Sequence, residues 1–64
     1  MENIKTNLFK IIEERKITPY SVAVNAGVAP SDIYKYRESV PSLLTALRIS
    51  KSLDLKLEDI WSLK

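Results

Sequence analysis

The sequence contains no cysteine and no histidine. Without cysteine there is no disulfide and no thiol nucleophile. Without histidine the commonest general base is missing, and carboxylates are the main metal ligands left. No apolar run is long enough to cross a bilayer, and the first residues lack the apolar core and cleavage site of a signal peptide. We therefore expect a cytoplasmic protein with no cofactor, no metal and no membrane association.

An enzyme is not expected either. A chain of 64 residues makes one domain, residues 1–64, and offers little room for a substrate pocket. A glycine-rich phosphate loop is also missing, because glycine occurs once. We therefore expect no small-molecule substrate. The net charge of +2 permits a polyanionic partner without requiring one.

The single glycine and two of the three prolines mark the ends of helices. Thr18 followed by Pro19 is typical of a helix start, because threonine caps free N–H groups and proline suits the first helical position. Gly27 can end that helix, because glycine adopts the left-handed conformation without a side-chain clash. Pro30 marks the start of another helix. Two short helices joined by a tight turn containing glycine form a helix-turn-helix.

The remaining segments also predict helices. Apolar residues at helical spacing indicate an amphipathic helix over residues 3–15. Ser42 can cap a fourth helix, from Leu43 to about Leu53, and residues 57–63 give a short fifth helix. No alternating strand pattern is visible, so the prediction is an all-α fold of five helices. The predicted core is Leu8, Ile12, Val22, Ala23, Ile33, Leu43, Leu47 and Ile60.

Three segments together resemble the XRE family, the helix-turn-helix proteins of the Cro and phage-repressor type. "LFKIIEERKIT" is similar to the family's first helix. "TPYSVAVNAGVAPSDIYKYRE" is similar to its Thr-x-x-x-hydrophobic-Ala-x-x-Ala-Gly-Val pattern and recognition helix. "PSLLTALRISKSLDLKLEDIW" is similar to its fourth and fifth helices. The resemblance implies a compact, lambda-repressor-like, five-helix DNA-binding domain whose third helix enters the major groove of double-stranded DNA.

The resemblance also implies which residues contact DNA. Lys35 is the best candidate for reading a base, since its ammonium can donate to guanine O6 and N7. The base-contacting candidates are Pro30, Ser31, Tyr34 and Lys35. The phosphate-contacting candidates are Thr18, Tyr20, Ser21, Arg37 and Ser39.

Dimerisation is expected through the C-terminal part of the chain. One small domain offers a limited contact area on DNA, so tight binding to a palindromic operator needs two copies. The predicted interface consists of Leu44, Trp61 and Leu63, because exposed apolar side chains and tryptophan are typical of contacts. Trp61 has a second interpretation, in which it folds back over Leu8 and Phe9 to complete the core.

Two functions therefore remain open. The first is a sequence-specific transcriptional regulator, such as a phage or mobile-element repressor. The second is a protein–protein interaction module on the same fold, for example an adaptor, antirepressor or antitoxin with weak or lost DNA binding. The second is favoured by Pro19, where the family often has glutamine, and by Asp32, whose charge phosphate would repel.

Overall fold

A computed structural model describes residues 3–63 of the chain. Five α-helices, one 3-10 helix and two short strands follow one another along these residues. In chain order they are β1 (Ile4–Thr6), α1 (Leu8–Glu14), α2 (Pro19–Ala26), α3 (Pro30–Ile33), the 3-10 helix (Tyr34–Arg37), α4 (Leu43–Leu53), α5 (Leu57–Ile60) and β2 (Trp61–Leu63). None of the helices within the described range is long and apolar enough to cross a membrane.

The prediction of an all-α fold is wrong, because β1 and β2 form an antiparallel sheet. The register pairs Ile4 with Leu63 and Thr6 with Trp61. Each strand is three residues long, which is too short to display the alternation that identifies a strand in sequence. The first residues of the predicted first helix therefore belong to β1, and the last residues of the predicted fifth helix belong to β2.

The sheet continues into the helical part of the chain. The backbone N–H of Asn7 donates to the carbonyl oxygen of Ile60 at 2.7 Å, one position beyond the strands. Leu8 and Ile60, which follow and precede the paired strands, are completely buried. The same pairing thus joins the two ends of the described chain and orients α1 and α5 toward one core.

Three helices end in the same backbone turn. After α2, the N–H of Val28 donates to the carbonyl oxygen of Ala23, which is the six-to-one bond of a Schellman motif, with Gly27 in the left-handed conformation. Lys16 after α1 and Asp54 after α4 also have positive φ values, of 56° each. Glycine is therefore not required for this helix end, although non-glycine residues adopt it at some cost.

The core lies where α2 packs against α4 and α3. Its buried apolar residues are Leu8, Ile12, Val22, Ala23, Ala26, Ile33, Ala46, Ile49, Leu53, Ile60 and Trp61. This confirms six of the predicted core residues, namely Leu8, Ile12, Val22, Ala23, Ile33 and Ile60.

The prediction that Leu43 and Leu47 of α4 face the core is wrong. Leu43 and Leu47 are exposed, while Ala46, Ile49 and Leu53 are buried. Apolar residues cover both faces of this helix, so periodicity alone does not decide between them. The small side chain of Ala46 suits the tightly packed side, and the buried hydroxyl of Ser50 donates to the Ala46 carbonyl oxygen at 2.8 Å. A hydroxyl satisfied within its own helix can be buried at little cost.

We predict opposite effects for two truncations on α4. Ile49→Ala should lower the free energy of unfolding by about 2–5 kcal/mol, because Ile49 is completely buried. Leu47→Ala, the matched control, should change it by less than about 1 kcal/mol, because Leu47 is half exposed. Urea denaturation followed by circular dichroism measures both. Equal losses would contradict the observed orientation of α4.

Candidate nucleic-acid interface

The turn between α2 and α3 sets the position of the candidate recognition segment. Gly27 has φ 73° and ψ 31°, and a methyl group added there would meet no atom within 4 Å. Glycine is thus favoured at position 27 by the backbone conformation, and lack of space for a side chain is not the reason. After the turn, Ala29 is extended and Pro30 takes the first helical position of α3.

The candidate recognition segment, residues 30–37, consists of two pieces. α3 is a single turn of α-helix, and Tyr34–Arg37 continues it as a 3-10 helix. Ile33 is completely buried and anchors the segment to the core. Tyr36 is half-buried and packs against the same core. The other side chains are therefore left to the outer face.

The structure brings the four base-contacting candidates together on this segment. Ser31, Tyr34 and Lys35 are exposed, and Pro30 is half-buried beside them. Tyr34 leaves about half of its surface in solvent, at 51% exposure. Residues three and four positions apart share one side of a helix, so Ser31, Tyr34 and Lys35 form one outward face.

This face also contains an ion pair that sequence reasoning missed. The Nζ atom of Lys35 lies 3.1 Å from Oδ1 of Asp32. The Lys35 side chain is 70% exposed and that of Asp32 is 43% exposed. The spacing of three residues could have suggested the pair, since such positions are neighbours on a helix. Lys35, which was predicted to contact a base, is thus paired with the carboxylate of Asp32.

Two of the phosphate-contacting candidates belong to the cap of α2. Oγ1 of Thr18 accepts a hydrogen bond from the Ser21 backbone N–H at 3.1 Å. The hydroxyl of Ser21 donates to the Thr18 carbonyl oxygen at 2.8 Å. Thr18 accepts in this cap, so its hydroxyl hydrogen can still donate to another group. The hydroxyl hydrogen of Ser21 is already donated to the Thr18 carbonyl oxygen. Tyr20, beside them on α2, is exposed.

The remaining two of the five phosphate-contacting candidates, Arg37 and Ser39, lie at the end of the 3-10 helix. The Ser39 hydroxyl donates to the Lys35 carbonyl oxygen at 2.9 Å. The guanidinium of Arg37 lies 4.0 Å from the centre of the Phe9 ring. Such a cation–π contact stabilises by about 0.5–1 kcal/mol at an exposed site. Arg37 thus ties the recognition segment to α1, a role that sequence reasoning did not assign.

The predicted interface residues lie in two different environments. Leu44 and Leu63 are 61% and 65% exposed. Ile4, Val40, Leu43 and Leu63 line one apolar groove, and Leu47 lies one helical turn from both Leu43 and Leu44 on α4. These six exposed residues are here called the leucine surface. Trp61 instead is buried in the core, with 7% of its surface exposed. The burial of Trp61 thus agrees with its second interpretation, as a core residue, and not with an exposed interface residue.

An open groove of about 330 Å³ runs through the leucine surface. Its walls include Ile4 and Leu63 from the sheet and Leu43 from α4, and Trp61 also lines it. Ile4, Leu63 and Trp61 share one face of the sheet, because cross-strand partners and alternate residues point to the same side. The pairing of β1 with β2 therefore supplies one side of the groove.

No protein-family model matches this chain, and no curated protein is significantly similar to it. In residues 3–63 there is also no group of three or more His, Cys, Asp or Glu side chains that could hold a metal ion.

We predict that Gly27→Ala lowers the free energy of unfolding by about 1–2 kcal/mol, because alanine is strained at a φ of 73°. Gly27→Asn should cost less, since asparagine tolerates the left-handed region better than alanine does. Neither side chain meets a neighbour at its Cβ, so the difference reports backbone strain alone. Thermal denaturation of the two variants measures it. A larger loss for asparagine would contradict this explanation of the turn.

Proposed function

We propose that the protein is a sequence-specific DNA-binding regulator that inserts residues 30–37 into the major groove of double-stranded DNA. The observation that carries this proposal is the outward face of Ser31, Tyr34 and Lys35, held on a buried anchor after a tight left-handed turn. A short helix whose outer face is polar suits a groove that is lined by hydrogen-bonding base edges. Such a regulator would act in the cytoplasm, with double-stranded DNA as its partner.

Three features support the proposal. The segments that resemble the XRE family cover α1 to α5 in order. Thr18 and Tyr20 lie at the start of α2, which would cross the DNA backbone while the following segment enters the groove. Lys35 and Arg37 add positive charge at the recognition segment, although Asp32 offsets part of it.

We further propose that two copies bind together through the leucine surface. The surface contains protruding leucines on α4 and a groove beside them, so one patch offers both parts of a self-complementary contact. The two neighbouring helices α4 and α5 carry opposite charges. α4 carries Arg48 and Lys51 with no acidic residue, and α5 carries Glu58 and Asp59 with no basic residue. A twofold arrangement that sets α4 against the partner's α5 would bring these charges together.

The proposed function is tested by selecting bound sequences from a random DNA pool. We expect enrichment of an inverted repeat, and an affinity that falls steeply with salt because phosphate contacts release counterions. Lys35→Ala should weaken binding to the selected site by about 1–3 kcal/mol if it reads a guanine. Lys5→Ala in β1 removes the same charge outside the recognition segment and should have little effect on sequence preference.

The competing function makes a different prediction in that experiment. A protein–protein interaction module would enrich no sequence, and its complexes would respond weakly to salt. Absence of an enriched sequence would therefore reject the proposed regulator and favour the module.

The dimer is tested by Leu44→Ser combined with Leu47→Ser. Both side chains are exposed, so the double variant should keep its helical circular dichroism. Sedimentation should show a monomer, and binding to the full inverted repeat should weaken while binding to a half-site stays the same. Val24→Ser, which changes an exposed apolar residue of α2, is the control for sedimentation. A wild-type protein that is monomeric both free and on DNA would contradict the dimer.

A further inference from the structure

We propose that Asp32 and Lys35 act as one reading unit that distinguishes keto bases from amino bases, with guanine preferred. This inference rests on the proposed function, because it concerns how the recognition segment chooses a sequence. The starting observation is the pair's short distance, 3.1 Å between Lys35 Nζ and Asp32 Oδ1, on the outward face of residues 30–37.

The pair keeps hydrogen-bonding capacity on both sides. A lysine ammonium has three donors, and contact with one carboxylate oxygen leaves donors for another partner. An ionised aspartate has two acceptor oxygens with several lone pairs, and contact of Oδ1 with one ammonium leaves acceptor capacity for another partner. The pair therefore presents a donor and an acceptor side by side. Because both side chains are partly exposed, both can reach a ligand.

The floor of the major groove has the complementary arrangement. In a G·C pair, O6 of guanine accepts and N4 of cytosine donates. These two atoms are hydrogen-bonded to each other, so they lie about 2.9 Å apart. That separation is close to the 3.1 Å between Lys35 Nζ and Asp32 Oδ1. The ammonium can thus face O6 while the carboxylate faces N4.

The direction of the base pair then matters. A T·A pair offers thymine O4 and adenine N6 in the same order, keto then amino. A C·G or A·T pair reverses the order, so that the ammonium faces an amino group and the carboxylate faces a keto oxygen. Both contacts are then repulsive. Guanine is preferred over thymine because guanine N7 offers a second acceptor to the ammonium, and thymine has a methyl group nearby.

The position of Asp32 is otherwise difficult to explain on a DNA-reading face. Exposed ion pairs contribute little to stability, so the fold does not need this one. Phosphates repel the carboxylate, which weakens binding to every sequence. A repulsive group that weakens all binding but penalises wrong sequences more increases specificity. Asp32 thus lowers the affinity for all DNA sequences and raises the selectivity at one base pair.

The test compares base selection from a random DNA pool by the wild type and by Asp32→Asn. Asparagine keeps the shape of aspartate but removes the charge, and its amide can both donate and accept. We expect Asp32→Asn to bind random DNA more tightly, by about two- to tenfold at low salt, because one negative charge is lost. We also expect the ratio of affinities for the selected G·C pair and for its reversal to C·G to fall about tenfold.

Glu38→Gln is the matched control. It removes one exposed negative charge directly after the 3-10 helix and outside the reading pair. It should strengthen binding to all sequences without changing base preference. Lys35→Met is the second variant, and it should lose selectivity at the same base position as Asp32→Asn. Thermal melts equal to that of the wild type confirm that the variants are folded.

Two outcomes overturn the inference, and they are distinguishable. If the wild type selects a sequence and Asp32→Asn selects the same bases with the same ratios, the reading pair is wrong while the proposed function stands. The inference fails in the same way if Glu38→Gln changes the preference as Asp32→Asn does. If the wild type selects no sequence at all, the proposed function fails and the reading pair fails with it.

Discussion

The antiparallel pairing of β1 with β2, near the two ends of the described residues, is the contact on which the rest of the structure depends. Three residue pairs and the bond from Asn7 to Ile60 hold β1 against β2. This pairing positions Leu8 and Ile60 inside the core, buries Trp61 and builds the groove of the leucine surface. Small domains have little apolar area to bury, and this one gains part of its buried apolar surface from Trp61 in β2.

The helices could be predicted from the sequence because their signals are local. Thr18 and Ser42 cap helices with their own side chains, and Gly27 ends α2 as its conformational freedom allows. The sheet could not be predicted, because β1 and β2 are three residues each and gain their stability from partners at the other end of the chain. Which face of α4 is buried also depends on residues far away in the sequence. The face of α4 that contains Ala46 and Ile49 is buried, and α2 packs against α4, while the leucines stay exposed.

The outward face of residues 30–37 was also predictable, since Ile33 and Tyr36 indicate which side is buried. The interactions between exposed side chains were not. The contact of Arg37 with Phe9 joins two segments that are far apart in sequence, and the hydroxyls of Ser21 and Ser39 choose nearby carbonyl oxygens. Sequence patterns identify which side chains could contact a ligand. Only the folded structure shows which of them already make hydrogen bonds or ring contacts within the protein.

The register that pairs Ile4 with Leu63 gives the fold an almost circular path. A short peptide linker between these positions would close the chain into a ring without disturbing the helices. Chains whose ends are adjacent commonly tolerate such rearrangement, with new ends opened in an exposed loop. Ring closure would also reduce the entropy of the unfolded chain, since the longest loop in the molecule would no longer have to be closed during folding. A segment that precedes Ile4 or follows Leu63 would leave the sheet beside the leucine surface.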